Sequence, residues 1–330
     1  MKILIIGCGS IGQRHMKNLI TTTAEEIIAY RTRKKKIKQL ENDYNVKTYL
    51  NLTEALDQNP DAVLITNPTS LHIQSALAAA MHGCHLFIEK PISNTLDGID
   101  ELINIVHKKK LVVLIGCNLR FHPCLHFVKK LLDEKRIGEV ISARVQMGQY
   151  LPDWHPWEDY RTMYSSSEAL GGGIILDAIH ELDYIKWLLG DVTQVFSFSD
   201  KLSNLEIDTE DVAEILLRFR SGAIAEVHLD YIQRFPSRSC EIIGEEGSIV
   251  LDIKEGTVKL YTAEENEWKL FEQPKDYIMN QSYIDEMLHF INCIKGKEEP
   301  LISIVDGLEV LKIALAAKES AKNGVVIKIG

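Results

Sequence analysis

Lys2-Ile3-Leu4-Ile5-Ile6-Gly7-Cys8-Gly9-Ser10-Ile11-Gly12 opens the chain, and its reading decides how the rest is read. Four consecutive aliphatic residues have the continuous apolar character of a strand buried on both faces. The glycines after them form G-x-G-x-x-G, and a helical period starts within the motif. Gly7 suits a tight turn, Gly9 lets backbone approach a pyrophosphate, and Gly12 permits close packing of helix on strand. Cys8, Ser10 and Ile11 complete the loop, and the helix start offers free N–H groups and a positive dipole end to phosphate. The stretch therefore predicts a dinucleotide site.

Working outward, short apolar runs recur at 26–30, 61–65, 85–88 and 111–116. Segments of helical period lie between them, near 11–20, 33–42, 70–82 and 95–107. Alternation of this kind predicts a doubly wound α/β domain over 1–120. Past residue 138, alternating strands are expected at 139–150, 211–219, 223–231, 239–243, 248–253 and 257–262, joined by tight turns. Helices are expected at 174–189, 281–294 and 304–322. Residues 121–330 thus read as an α+β domain on an open, predominantly antiparallel sheet, with helix 304–322 able to pack back on the first domain. One face of such a sheet needs a cover, which points to a homodimer or homotetramer.

Composition narrows the function. The chain has 330 residues, 45% hydrophobic and 25% charged, with a net charge of −10. That balance weighs against nucleic acid as a partner. No run approaches the ~20 apolar residues of a membrane span, and the N-terminal apolar run is too short for a signal peptide. Six scattered cysteines without metal-site spacing fit a reducing cytoplasm. The charge is uneven: residues 1–120 carry +4 and the remainder −14. Six of the basic residues lie between Arg31 and Lys38.

That basic run bears on the cofactor. An NAD site places an acid about 20 residues after the glycine loop, on the ribose 2′-hydroxyl. Here Tyr30-Arg31 stands in that place, and Arg31 and Arg33 suit a 2′-phosphate. Cations at a helix start oppose its dipole, so a ligand is the better reason for them. NADP is favoured over NAD.

Two further stretches carry chemistry. Glu89-Lys90-Pro91 ends an expected strand, where ligands sit in open α/β sheets. The Lys90 ammonium suits holding a substrate hydroxyl. Gly171-Gly172-Gly173 suits a close approach of backbone to ligand, and the expected helix after it carries Asp177 and His180. At i and i+3 these lie about 60° apart on one helix face and suit acid/base work. No metal is implied.

These motifs, with Thr66-Asn67-Pro68, His72, Asn118-x-Arg120-Phe121 and Trp187-Leu188-Leu189-Gly190, give a resemblance over essentially the whole chain. The chain resembles the glucose–fructose oxidoreductase/myo-inositol dehydrogenase family, Gfo/Idh/MocA. The resemblance implies that Lys90 is the catalytic lysine, that Asp177 orients the substrate and that His180 transfers the proton. It implies that Thr66, Asn67, Pro68, His72 and Glu89 line the cofactor, and that Asn118 and Arg120 lie where nicotinamide meets substrate. The family places its histidine four positions after the aspartate, whereas here it stands three after. This departure bears on whether both keep their family positions.

The substrate side falls on Trp154-His155-Pro156-Trp157-Glu158-Asp159-Tyr160-Arg161. Trp157 suits a sugar face and Arg161 a carboxylate or phosphate; Arg234 is a second candidate. The same composition suits a loop packed on its own domain or on a partner. The expected activity is hydride transfer between nicotinamide and a secondary alcohol or ketone of a sugar, amino sugar or nucleotide sugar. An imine reductase, a nicotinamide-dependent glycosidase and a non-catalytic NADP-binding regulator are the alternatives on this scaffold.

Overall fold

The computed structural model describes residues 1–23, 25–34 and 37–329; Lys35 and Lys36 of the basic run lie outside them. The first elements are β1 (Lys2–Ile6), α1 (Ser10–Thr22), β2 (Glu26–Tyr30), α2 (Ile37–Tyr44), β3 (Lys47–Tyr49) and α3 (Leu52–Leu56). Then come β4 (Ala62–Ile65), α4 (His72–Met81), β5 (His85–Glu89), α5 (Ile99–Lys109), β6 (Val113–Gly116) and α6 (Pro123–Asp133). Next are β7 (Val140–Gly148), α7 (Ile174–Asp177), α8 (His180–Leu189), β8 (Val192–Asp200), β9 (Val212–Phe219) and β10 (Ile224–Asp230). The chain closes with β11 (Ser237–Gly244), β12 (Gly247–Asp252), β13 (Thr257–Thr262), β14 (Glu267–Glu272), α9 (Asn280–Ile294), α10 (Ile304–Asn323) and β15 (Ile327–Lys328).

Two compact units result: Met1–Asn118 with Met279–Leu308, and Leu119–Ile278 with Glu309–Gly330. The expected boundary at residue 120 misses the return of Met279–Leu308 to the first unit. The reason is local. α9 puts Phe290 edge-on to Phe87 of β5, at 5.8 Å between ring centroids. The backbone N–H of Ile115 donates to the carbonyl of Ile302 at 3.1 Å.

The first unit carries a parallel sheet in the order β3-β2-β1-β4-β5-β6. β1 is buried from Ile3 onward and β4 and β6 throughout, as their unbroken aliphatic runs require. The order reverses between β1 and β4, where such sheets open a crevice at their carboxyl ends.

The second unit carries nine strands in the order β14-β13-β12-β11-β7-β10-β9-β8-β15. All neighbours are antiparallel except β7 and β10. The alternation of Val212–Phe219 buries every second residue and leaves Glu214, Leu216 and Arg218 outside. Register places Phe196, Leu216, Glu226, Arg144, Glu241, Val250, Lys259 and Leu270 in one row across eight strands. Arg144 stands between Glu226 and Glu241, at 3.8 and 3.7 Å.

No helix among the described residues is long and apolar enough to cross a membrane. All six cysteines are buried and none forms a disulfide. Burial pushes the thiols of Cys8, Cys84, Cys124 and Cys293 up to about 11, and that of Cys240 to about 12.

Candidate active site

In the first unit the predicted residues gather at the carboxyl ends of the parallel strands. Gly7 follows β1 with φ +97, a value that only glycine adopts without strain. A Cβ there would stand 2.5 Å from the backbone nitrogen of Asn67, and one on Gly12 would stand 2.0 Å from the Gly7 carbonyl oxygen. Gly9 differs: among the described residues, none beyond its two chain neighbours has an atom within 4 Å of where its Cβ would be. Gly9 is the N-cap of α1 and offers no side-chain cap, so the first N–H groups of the helix have no side-chain acceptor at that residue. The loop thus offers a cradle that suits a pyrophosphate.

Neighbouring groups fix the cradle. Thr66 donates its hydroxyl proton toward the carbonyls of Ile6 and Gly7, at 3.1 and 2.6 Å. Asn67 donates to the Ser75 hydroxyl, and Pro68 begins the turn that leads into α4. The Gly7 N–H donates to the Tyr30 carbonyl at 3.1 Å, and the Cys8 thiol faces the same oxygen at 3.7 Å. Ser10 is exposed and Ile11 half-exposed. Beyond β2, Arg31 is half-buried and Arg33 exposed.

His72 and Glu89 are each held by hydrogen bonds within the chain. His72 is buried, with Nδ1 2.8 Å from the Pro91 carbonyl and Nε2 2.9 Å from that of Asn67. It ties the loop after β4 to the turn after β5. Burial lowers its pKa below the usual histidine value, against the pull of both carbonyls. Glu89 places one carboxylate oxygen 2.6 Å from His15 and the other 3.3 Å from the Lys90 N–H. Both side chains therefore fix the loops at the carboxyl ends of β4 and β5. Lys90 itself is partly exposed at the end of β5. Asn118, following β6, donates to the Ser282 hydroxyl at 2.8 Å.

In the second unit the triple glycine corrects an expectation. A Cβ on Gly172 would lie 2.2 Å from the Tyr164 carbonyl oxygen, and one on Gly173 would lie 2.5 Å from the Glu210 carboxylate. Backbone does approach closely here, but what it approaches is this chain. Glu210 is held in turn by Lys318 at 3.1 Å.

The continuous helix expected at 174–189 is broken. α7 stops at Asp177, Ala178 leaves the helical region at φ −90 and ψ 29, and α8 starts at His180. The Asp177–His180 relation is therefore not the one-face geometry of a single helix. The break coincides with the tethering of Asp177. Its carboxylate accepts from the hydroxyls of Tyr164, Ser165 (2.6 Å) and Tyr231 (3.0 Å). Burial beside this carboxylate drives the Tyr231 phenol well above its ordinary pKa. His180 is 7% exposed.

Arg120 is 3% exposed and forks onto Asp183 of α8, at 2.9 and 2.7 Å. Arg161 forks onto Asp159 (2.9 and 2.8 Å) and reaches Glu206 at 3.3 Å. These carboxylates, Asp159 first, raise its pKa further. Trp157 is 74% exposed with His155 at its edge. Arg234 lies over the Tyr150 ring, 3.5 Å from its centroid. Sequence reading missed Tyr164, Ser165 and Tyr231 as the anchors of Asp177, Asp183 as the partner of Arg120, and His15 as the partner of Glu89. Only Asp183 was within sight, inside the stretch that begins at Gly171.

Residues 1–117 match the family described as "Oxidoreductase family, NAD-binding Rossmann fold", and 129–329 match "Oxidoreductase family, C-terminal alpha/beta domain". The chain belongs to the Gfo/Idh/MocA oxidoreductase family. Among its relatives, myo-inositol 2-dehydrogenase of Thermotoga maritima is 29% identical over all of this chain and 98% of its own. The scyllo-inositol 2-dehydrogenase (NAD(+)) of Bacillus subtilis is 25% identical over 100% and 96%. In fold, the chain is similar to levoglucosan dehydrogenase in complex with NADH and levoglucosan. That likeness has a TM-score of 0.90 and 21% identity over 100% and 99% of the two chains. Like its named Gfo/Idh/MocA relatives, the chain is an NAD(P)-dependent dehydrogenase.

Proposed function

We propose that this Gfo/Idh/MocA protein moves a hydride between a nicotinamide dinucleotide and a secondary alcohol or ketone carbon of a sugar or cyclitol. The observation that carries the reading is the pairing of an open phosphate cradle at Gly9 with Lys90 at the end of β5, both at carboxyl ends of one parallel sheet. A bound nicotinamide supplies the hydride donor or acceptor. The α1 N-terminus and the Gly7–Gly12 loop hold the pyrophosphate, and Thr66 keeps that loop in place. Lys90 holds the substrate oxygen and, with His180, manages its proton; a lysine and a histidine suit that task at neutral pH. Asp177 orients the substrate side through its tethered carboxylate, and Trp157, Arg120, Arg161 and Arg234 belong to the second unit's contribution.

Arg31 and Arg33 form the 2′-phosphate site, so NADPH is the tighter cofactor. Fluorescence titration with NADPH and NADH checks this; a lower Kd for NADH overturns it. The relatives act on inositols and levoglucosan by name, which supports a small polyhydroxylated ring as substrate. Turnover of myo-inositol, levoglucosan and a nucleotide sugar, read as nicotinamide absorbance, tests the class. Lys90→Ala is expected to lower kcat by roughly 10²–10⁴ while leaving dinucleotide affinity near wild type. The uncovered face of the nine-stranded sheet, with Phe198, Leu216 and Leu270 exposed on it, supports a homo-oligomer built through that face. Six cysteines outside any disulfide support a reducing, cytoplasmic setting.

A further inference from the structure

Glu89 closes β5 and is 7% exposed. One of its oxygens lies 2.6 Å from His15 Nε2, and the other accepts the backbone N–H of Lys90 at 3.3 Å. His15 stands on the second turn of α1 and is fully buried. Its ring sits edge-on to Phe87 of β5 and to Tyr283 of α9, with centroids 5.1 and 5.9 Å away. A carboxylate only accepts, so Nε2 carries the proton. Nδ1 has no hydrogen-bond partner among the described residues. The buried imidazole thus makes one polar contact, and that contact is Glu89.

Packing alone does not call for a histidine here. Its neighbours on the inner side of α1 are Met16 and Leu19, both fully buried, and an aliphatic side chain would fill the space without stranding a ring nitrogen. Phosphate binding does not call for it either, because the cradle uses backbone N–H groups at the start of the helix. The bond gains a purpose from what lies on the other side of Glu89. The carboxylate spans from α1 to the turn that carries Lys90. From Gly9 to His15 is ~9 Å of helix, a rigid arm between the phosphate cradle and that turn.

We propose that His15 is a positioning residue for Lys90. Through Glu89 it locks the strand-end turn to the helix that opens the phosphate loop, so the dinucleotide and the ammonium share one frame. The proposal rests on the reading of Lys90 as the residue that holds the substrate oxygen.

The test uses the full chain with NADH bound. His15→Leu removes the donor, and His15→Gln keeps a side-chain N–H. The double variant H15L/E89L replaces both partners by apolar groups, so it folds even where the single leucine strands the carboxylate. Hydrogen exchange read by mass spectrometry on a peptide covering 86–95 is expected to speed up roughly tenfold in H15L and H15L/E89L, with peptides of β1 and β4 unchanged. His15→Gln is expected to restore wild-type exchange. On myo-inositol or levoglucosan, H15L is expected to lose roughly tenfold to a hundredfold in kcat with little change in the KM for dinucleotide, and the glutamine variant to recover most of it.

Wild-type exchange at 86–95 in both leucine variants overturns the proposal, whether or not any probe is turned over. So does wild-type kcat in H15L when Lys90→Ala, measured beside it, is inactive. Full activity in Lys90→Ala overturns instead the reading of Lys90, and the exchange result still judges the His15 link.

Discussion

The molecule has two glycine-rich loops that look alike in sequence and do opposite things. Around Gly9, no atom of the described residues beyond its two chain neighbours lies within 4 Å of the missing Cβ. Around Gly172 and Gly173, the same space is taken by the carbonyls of Tyr164 and Ser165 and by the Glu210 carboxylate. Glycine permits close approach in both places. What approaches is decided by the rest of the fold: the chain itself fills the space at the second loop and leaves it open at the first. The first loop is the proposed phosphate site, and the second is a joint packed against this chain just before the tethered Asp177.

This contrast can be broken by substitution. Gly172→Ala drives a methyl into two backbone carbonyls, so it is expected to cost about 3 kcal/mol or to prevent folding. Thermal unfolding measures this; an unchanged Tm would show the second loop to be open. Asp177→Ala leaves three hydroxyls without their acceptor, and a loss of about 2 kcal/mol is expected in denaturant unfolding. A variant of normal stability but lost turnover would recast the carboxylate as purely chemical.

Gly9→Ala is expected to do the reverse. Gly9 has φ −75, so alanine adopts its backbone without strain. Stability should hold, while NADH binding weakens roughly tenfold or more because the methyl stands where backbone meets pyrophosphate. Titration of NADH fluorescence measures it, and unchanged affinity would remove the binding role of that loop.

The smallest effect concerns the sheet beyond the second loop. His228 lies between Glu214 at 2.6 Å and Asp230 at 2.9 Å, and these carboxylates raise its pKa to about 9. The folded value exceeds the ordinary 6.5, so this stabilisation is complete below about pH 6.5 and lost as pH rises through about 9. The cluster is partly exposed, which limits the effect to ~2 °C in Tm. His228→Gln should flatten the alkaline limb between pH 7 and 9.5, roughly the span of that titration; an unaltered limb would assign it to other groups.

Legibility from sequence followed the range of the interactions. The phosphate loop was readable because its function needs a fixed local spacing, and the central strands because burial on both faces forces unbroken aliphatic runs. The alternation of Val212–Phe219 was equally plain, whereas the short β3 and the exposed β14 carry too few buried residues for a period to show. What escaped was distant in the chain. Nothing near Asp177 announces Tyr231, and nothing near Glu89 announces His15, 74 residues away. The return of Met279–Leu308 to the first unit depends on the match of Phe290 to Phe87. At Arg161 the sequence does not announce Glu206, 45 residues away, which pairs with the cation alongside Asp159.

The six covered thiols give the molecule a clock. Four of them, Cys8, Cys84, Cys117 and Cys293, lie in the first unit, and Cys124 and Cys240 lie in the second. A thiol that is buried and pushed up to about 11 or 12 reacts only when its surroundings open. The pace of alkylation at each cysteine therefore times the breathing of each unit separately, without any introduced label.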